Sequence, residues 1–289
     1  MLKGVIFAII ASIAFGLVSA LTKILVDLSI DANTILLSRC IIIVSVIGVY
    51  LIASKKMERL TLKNFRDLLF FGVVGYGGAI YLLAMAYVYI PMGQATMIHF
   101  TYPFFVALFM IIFYKEKITR EKGIALILTC IGVLLLTEFN VTFSWIGIIF
   151  ALLSGAAYGL YMISVSQSSL KELNPANLLF YLALLITVLF GIYGILKGTD
   201  IPNFSNIAMV LPMMGVAACS IVGILFTTIA IRIIGPTYTS MICVLEPVIA
   251  VLCSVILFHE DWTGYTFFGS VLLVIVILLI TNDNKKGGK

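Results

Sequence analysis

The chain has 289 residues, of which 62% are hydrophobic and 11% charged, and its mean hydropathy is +1.20. Soluble domains carry about 45–50% apolar and about 25% charged residues, so a soluble fold is excluded and an all-α, multi-pass integral membrane protein is expected. The formal net charge of +5 is modest, and its placement matters more than its size.

A bilayer crossing takes about 20 apolar residues. That length predicts ten spans, at 4–22, 34–53, 68–88, 91–113, 123–137, 141–163, 175–196, 208–230, 235–258 and 262–281. The first, with Lys3 ahead of an apolar run ending Val18-Ser19-Ala20, has the outline of a cleavable signal peptide. It is read as a retained span, because Gly4, Phe7, Ala8, Ala14 and Gly16 recur 143 residues later as Gly147, Phe150, Ala151, Ala157 and Gly159. Lys23 and Arg39 fall near outer span ends, where long basic side chains reach the headgroups; for Arg39 the other reading is a substrate carboxylate at the outer mouth. The basic stretch from Lys55 to Arg66 is the most soluble piece and is expected to lie at the interface. From Leu68 to Tyr114 no charged residue occurs, and Ile90-Pro91-Met92-Gly93 supplies the turn that splits this run into two spans.

The fourth span carries Pro103, and 144 residues later the ninth carries Pro247; the same offset takes Met97 to Met241, Ile98 to Ile242 and Glu116 to Glu260. Proline has no N–H, so the carbonyls of His99 and Cys243 lose their helical donors. Such a lapse survives at membrane depth only where protein or a water-filled cavity covers it. Two interrupted helices in corresponding halves point to a transporter's binding site. The repeat divides the chain into 1–139 and 140–289, with five spans each. Five is odd, so the second half must cross in the opposite sense, which gives two inverted five-helix repeats and the symmetry of alternating access. With the N-terminus inside, fifteen of the eighteen Lys and Arg residues lie on the inner side, so the positive-inside rule puts both termini in the cytoplasm. Cys40, Cys130, Cys219, Cys243 and Cys253 lie singly in apolar segments without metal-ligand spacing, and neither a metal nor a cofactor is expected. The chain has no phosphate-binding GxxxxGK[ST] motif, so a gradient, with protons as the candidate coupling ion, would have to drive transport. Nothing suggests a nucleic-acid partner.

The proline-bearing spans hold the candidate chemistry. Glu246 is a formally charged residue near mid-span. Such residues are costly in lipid and face a cavity or the bundle interior; Glu246 would contact a substrate amine or a proton, or else brace the backbone opened by Pro247. His99, four residues before Pro103, shares a helical face with Thr96 and Tyr102. A histidine's ordinary pKa of about 6.5 suits proton or substrate contact, and a neutral hydrogen-bonding role is the plainer reading. Tyr158 and Tyr161 share a face with Ser154 on the sixth span, Tyr76 and Tyr81 lie on the third, and Phe15 matches Tyr158 by repeat. Aromatic rings of this kind cage an ammonium or stack on a flat ring, although packing is their commoner use. Substrate binding is therefore expected at His99, Tyr102, Glu246, Tyr158, Tyr161, Tyr81 and Phe15, with no catalytic residues. Ser12-x-x-x-Gly16 and Gly155-x-x-x-Gly159 allow close helix contact, and Glu116 and Glu260 are expected to anchor the loops that end the broken helices.

These motifs resemble the drug/metabolite transporter superfamily, in particular its ten-span EamA-type branch. The resemblance rests on Leu245-Glu246-Pro247-Val248, His259-Glu260-Asp261-Trp262-Thr263-Gly264, Tyr102-Pro103-Phe104 and Tyr114-Lys115-Glu116-Lys117-Ile118-Thr119, and it covers both halves. It implies an inner-membrane carrier of small organic metabolites, often an exporter of amino acids or related compounds. Tyr102 stands where the second half has Glu246. The leading expectation is a secondary transporter of a small polar or zwitterionic metabolite. The alternatives are a carrier of organic cations or flat heterocycles and, outside transport, a membrane receptor or scaffold. A membrane-embedded enzyme is disfavoured, since the only histidines, His99 and His259, fall in different halves.

Overall fold

The computed structural model describes residues 2–136, 144–197, 207–259 and 261–286. The regular structure among the described residues is helical, as a chain in hydrocarbon requires when every backbone amide must be satisfied internally. The elements are α1 (Leu2–Asp27), α2 (Ala32–Ala53), α3 (Leu62–Asp67), a π-helical stretch (Leu68–Gly77) running on into α4 (Gly78–Tyr87), α5 (Met92–His99), α6 (Tyr102–Tyr114), α7 (Arg120–Leu136), α8 (Trp145–Gln167), a 3-10 turn (Ser169–Glu172), α9 (Pro175–Lys197), α10 (Ile207–Cys243), α11 (Leu245–Phe258) and α12 (Gly264–Lys286). Side-chain caps start several of them: Thr34 N donates to Asp31 Oδ1 at 3.0 Å and Asn64 N to Thr61 Oγ1 at 3.1 Å.

Eight helical stretches among the described residues are long and apolar enough to cross a bilayer. One of them, Met209–Phe258, has 50 residues. A straight helix of that length would run about 75 Å, against a hydrocarbon core of about 30 Å. It is not straight. Gly235 sits at φ 83, ψ 163, a conformation essentially reserved for glycine, and the helix stops again between Cys243 and Leu245. The first half has a matching interruption, because α5 ends at His99 and α6 begins at Tyr102. Around it the turn tightens: Phe100 N bonds the carbonyls of Thr96 and Met97, and Thr101 N bonds that of Ile98. Both broken helices also end alike, with Lys115 and His259, 144 residues apart, at φ 54, ψ 33.

α1 packs against α10 and α11, while α8 packs against the π-helical stretch, α4, α5 and α6; α2 pairs with α9, and α7 with α12. One close approach lies beside the first break. A Cβ on Gly155 would stand 2.9 Å from the carbonyl oxygen of His99, so only glycine lets α8 come this close. At the corresponding place in the other half, Ser12 donates to the Ala8 carbonyl at 2.7 Å, and its Oγ lies 3.4 Å from the Ile242 carbonyl.

Candidate substrate cavity at the helix breaks

A cavity of about 290 Å³ lies against both interruptions. Its walls come from α1 (Phe15, Ser19), α2 (Arg39), the π-helical stretch and α4 (Tyr76, Ala79, Ile80, Leu83, Tyr87), α5 with its following turn (Thr96, His99, Phe100), α6 (Tyr102), α8 (Tyr158) and α11 (Glu246). Pockets for drug-sized ligands run from about 300 to 1,000 Å³, so this one suits a single small metabolite. A larger hollow of about 540 Å³ lies among Lys63, Arg66, Lys171 and Glu172 and contains none of the predicted binding residues.

The aromatic residues form a continuous wall. Tyr102 and Tyr158 meet edge to face with centroids 5.0 Å apart, and the His99 ring lies 5.5 Å from Tyr158 and 5.9 Å from Tyr102. Tyr76 extends the wall, 6.3 Å from Tyr158 and 5.1 Å from Tyr161. Packed edges hold the rings in place, so a flat or cationic group could be received without ordering them first.

Hydrogen bonds fix the state of His99. Its Nδ1 lies 2.8 Å from Ser154 Oγ, and Ser154 Oγ donates to the Ala79 carbonyl at 2.8 Å. A hydroxyl has one proton, and a carbonyl only accepts. Both bonds are therefore satisfied only if His99 carries a proton on Nδ1; when the ring is neutral, this leaves Nε2 as an acceptor. Elsewhere in the lining, Tyr87 Oη and Thr96 Oγ1 bond each other at 3.1 Å.

The cavity thus gathers His99, Tyr102, Tyr158, Glu246 and Phe15 from the expected set. Tyr161 stands behind them. It is buried, lines a hollow of about 10 Å³ against Thr227 and Ile231 of α10, and its hydroxyl has no hydrogen-bond partner. Tyr81 does not join the group: it is 47% exposed and lines an apolar side groove with Leu189, Phe190 and Tyr193. The sequence placed Tyr81 on the right helix without fixing its face, and five residues from Tyr76 is about 140° around an α-helix. Arg39 is the main residue that the sequence reading left outside. It was read first as reaching the headgroups and second as meeting a substrate carboxylate at the outer mouth, and it lines the cavity. An arginine near a span end fits either position, and no periodic signal separates them.

Where the chain turns at the other end of these helices, polar contacts close the bundle. Asp67 Oδ2 accepts from Ser169 N at 3.0 Å and Ser169 Oγ at 2.7 Å, Arg232 donates to the Leu170 carbonyl at 3.1 Å, and Asn177 accepts from Glu58 N at 2.9 Å. Glu116 accepts from Lys122 Nζ at 2.6 Å and Thr237 Oγ1 at 2.7 Å, so it ties the end of α6 to the start of α7 and to α10. Its repeat partner Glu260 lies outside the described residues.

The comparisons with known proteins agree with this picture. The chain is 23% identical over 286 residues to the pseudopaline exporter CntI of Pseudomonas aeruginosa strain UCBPP-PA14, covering 98% of this chain and 97% of that protein. It is 27% identical to the pseudopaline exporter CntI of strain PAO1 over 184 residues, 63% of each. A solved crystal structure superposes with a TM-score of 0.75 at 16% identity, covering 98% of this chain and 97% of the other, which establishes a shared fold. The profile of the EamA-like transporter family matches twice, at residues 2–138 and 145–282. The chain therefore belongs to the EamA-like transporter family of the drug/metabolite transporter superfamily, and it is a multi-span membrane transporter and not an enzyme.

Proposed function

We propose that this protein is a secondary active transporter that exports a small polar or zwitterionic metabolite, such as an amino acid, by alternating access. The observation that carries this reading is Glu246: a carboxylate at a helix interruption, inside an aromatic-walled cavity sized for a small metabolite. An ionisable group at such depth is retained for what it binds. The similarity to a pseudopaline exporter supports export as the direction. Ten spans follow if Met209–Phe258 counts as two crossings and the 17-residue α7 as one. The halves 1–139 and 140–289 are then inverted repeats in the cell membrane, with both termini cytoplasmic. In that orientation the cavity lies toward the outside, and the contacts of Asp67, Arg232 and Glu116 close the cytoplasmic end. Protons are the proposed coupling ion, moving with the charge state of Glu246.

The aromatic wall around Tyr102 and Tyr158 favours a second reading, a carrier of organic cations or flat heterocycles. A thermal-shift screen of purified protein against a metabolite library, followed by flux in proteoliposomes, separates the two, since a ligand that binds only the folded state raises apparent stability. Glu246→Gln keeps shape and hydrogen bonding and removes the charge. Loss of flux with unchanged melting supports the charge role. Normal flux in Glu246→Gln, with Glu246→Leu failing to fold, assigns Glu246 to bracing Pro247 instead.

A further inference from the structure

We propose that Arg39 is the second pole of the substrate site. It binds the carboxylate of a zwitterion whose ammonium is held by Glu246, and the aromatic wall takes the body between them. This rests on the transport reading and adds the residue that would select zwitterions over simple cations.

Arg39 and Glu246 come from different halves, on α2 and α11, and both line the one cavity. Among the described residues neither forms an ion pair, with the other or with any third group. Arg39 has the Cys40 side chain as a hydrogen-bond neighbour, but its Nε is buried without a hydrogen-bond partner among the described residues. Tyr76 lines the same cavity as both, and no hydrogen bond or ion pair joins Arg39 to Glu246 among the described residues. Charges taken from water and left unpaired are costly. A structural pair would close to hydrogen-bonding distance and offset that cost. These two stay apart with a metabolite-sized space beside them.

A molecule carrying both charges completes the arrangement. A guanidinium offers a planar fork of N–H donors that matches a carboxylate in bidentate fashion. A carboxylate facing tyrosine rings suits an ammonium. The His99 Nε2 acceptor adds a place for a substrate N–H. A monovalent cation would satisfy Glu246 alone and leave Arg39 unpaired, so binding both charged groups becomes the basis of specificity. The position also accounts for an arginine set about 10 Å along its helix from Ala32, taking 1.5 Å per residue, where a headgroup role would favour a site nearer the end.

The test uses purified full-length protein and melting shifts with three forms of each proteinogenic L-amino acid. These are the free amino acid with both charges, the methyl ester with only the ammonium, and the N-acetyl form with only the carboxylate. In the wild type at least one free amino acid should stabilise at concentrations tenfold or more below its two derivatives. Arg39→Gln should bind that amino acid no better than the ester, and Glu246→Gln no better than the N-acetyl form. Arg39→Lys should fall between Arg39→Gln and the wild type. Unliganded melting of each variant within a few degrees of wild type shows that the variants fold. If Arg39→Gln binds the free amino acid as wild type does, or if the ester matches the amino acid on wild type, Arg39 is not a pole, while the transport reading stands. If no free amino acid shifts the wild type, the two-pole site is overturned. Flux of a different substrate in proteoliposomes would still uphold transport.

Discussion

Ser154→Ala tests whether the cavity sets the state of His99. Ser154 is fully buried and makes two bonds of 2.8 Å, one to His99 Nδ1 and one to the Ala79 carbonyl. Removing the hydroxyl leaves the Nδ1–H without an acceptor, at about 1–3 kcal/mol, and takes from the carbonyl a bond worth about 1 kcal/mol. The sum is about 2–4 kcal/mol, which at roughly 2–4 °C per kcal/mol lowers melting by about 4–16 °C. The ring is then free to move its proton to Nε2, which would face the cavity as a donor. Affinity for a substrate that offers an N–H there should fall about 5- to 30-fold, the equivalent of 1–2 kcal/mol. The assay is nitrogen-15 spectroscopy of histidine-labelled protein. The chain has two histidines, so His259→Asn leaves His99 alone, and asparagine tolerates the left-handed backbone found at that position. The wild-type ring should be protonated on Nδ1 and bare on Nε2, and Ser154→Ala should shift the ring toward the other tautomer. A wild-type ring protonated on Nε2, or an unchanged spectrum in Ser154→Ala, refutes the reasoning.

Gly155→Ala would place a Cβ 2.9 Å from the His99 carbonyl; it should cost about 1–3 kcal/mol as overpacking and abolish ligand-induced stabilisation, whereas an unaffected ligand response would show that α8 can back away. Gly235→Ala forces a side chain onto φ 83 and should lower stability by about 1–3 kcal/mol, read as a melting shift. Tyr81→Ala should leave proteoliposome flux within about twofold, because Tyr81 faces the apolar side groove, while Tyr158→Ala, in contact with both His99 and Tyr102, should reduce it at least tenfold at subsaturating substrate, a loss of about 1.4 kcal/mol.

Much of the architecture was legible because the constraints on it are severe. Hydrophobic runs can only be helices in lipid, and Pro103 and Pro247 remove donors that no neighbouring residue supplies, so both interruptions fell where the prolines required. The internal offset then identified Lys115 and His259 as equivalents, and they share one backbone conformation. Face and depth were harder to read. Arg39 has one sequence signature for two environments, and the choice depends on tertiary packing around α2. Tyr81 and Tyr76 lie five residues apart on what regular periodicity treats as one helix. At 3.6 residues per turn five positions are about 140° apart, so Tyr76 meets the cavity and Tyr81 faces the side groove; residue type alone made Tyr81 a candidate. The role of Ser154 was half visible. Its face with Tyr158 could be counted from spacing, but its bonds to His99 and Ala79 join segments far apart in sequence.

The packing also says why the two halves need each other. α8, from the second half, covers the break of α5 and α6, and α1, from the first half, covers the break before α11. Each half therefore leaves its own interrupted helix to be sheltered by the other, and a break in lipid without such cover is not tolerated. Equivalent positions have diverged where the two covers meet the cavity. Gly155 opens room for the His99 carbonyl where Ser12 sets its hydroxyl beside that of Ile242, Ser154 holds His99 where Ala11 has no group to offer, and Tyr102 presents a phenol where Glu246 presents a carboxylate. A carboxyl is a far stronger acid than a phenol, so the repeated scaffold is chemically unequal at its two breaks. Symmetry of fold gives the protein two related breaks, and the departures from symmetry give it one polar, oriented site.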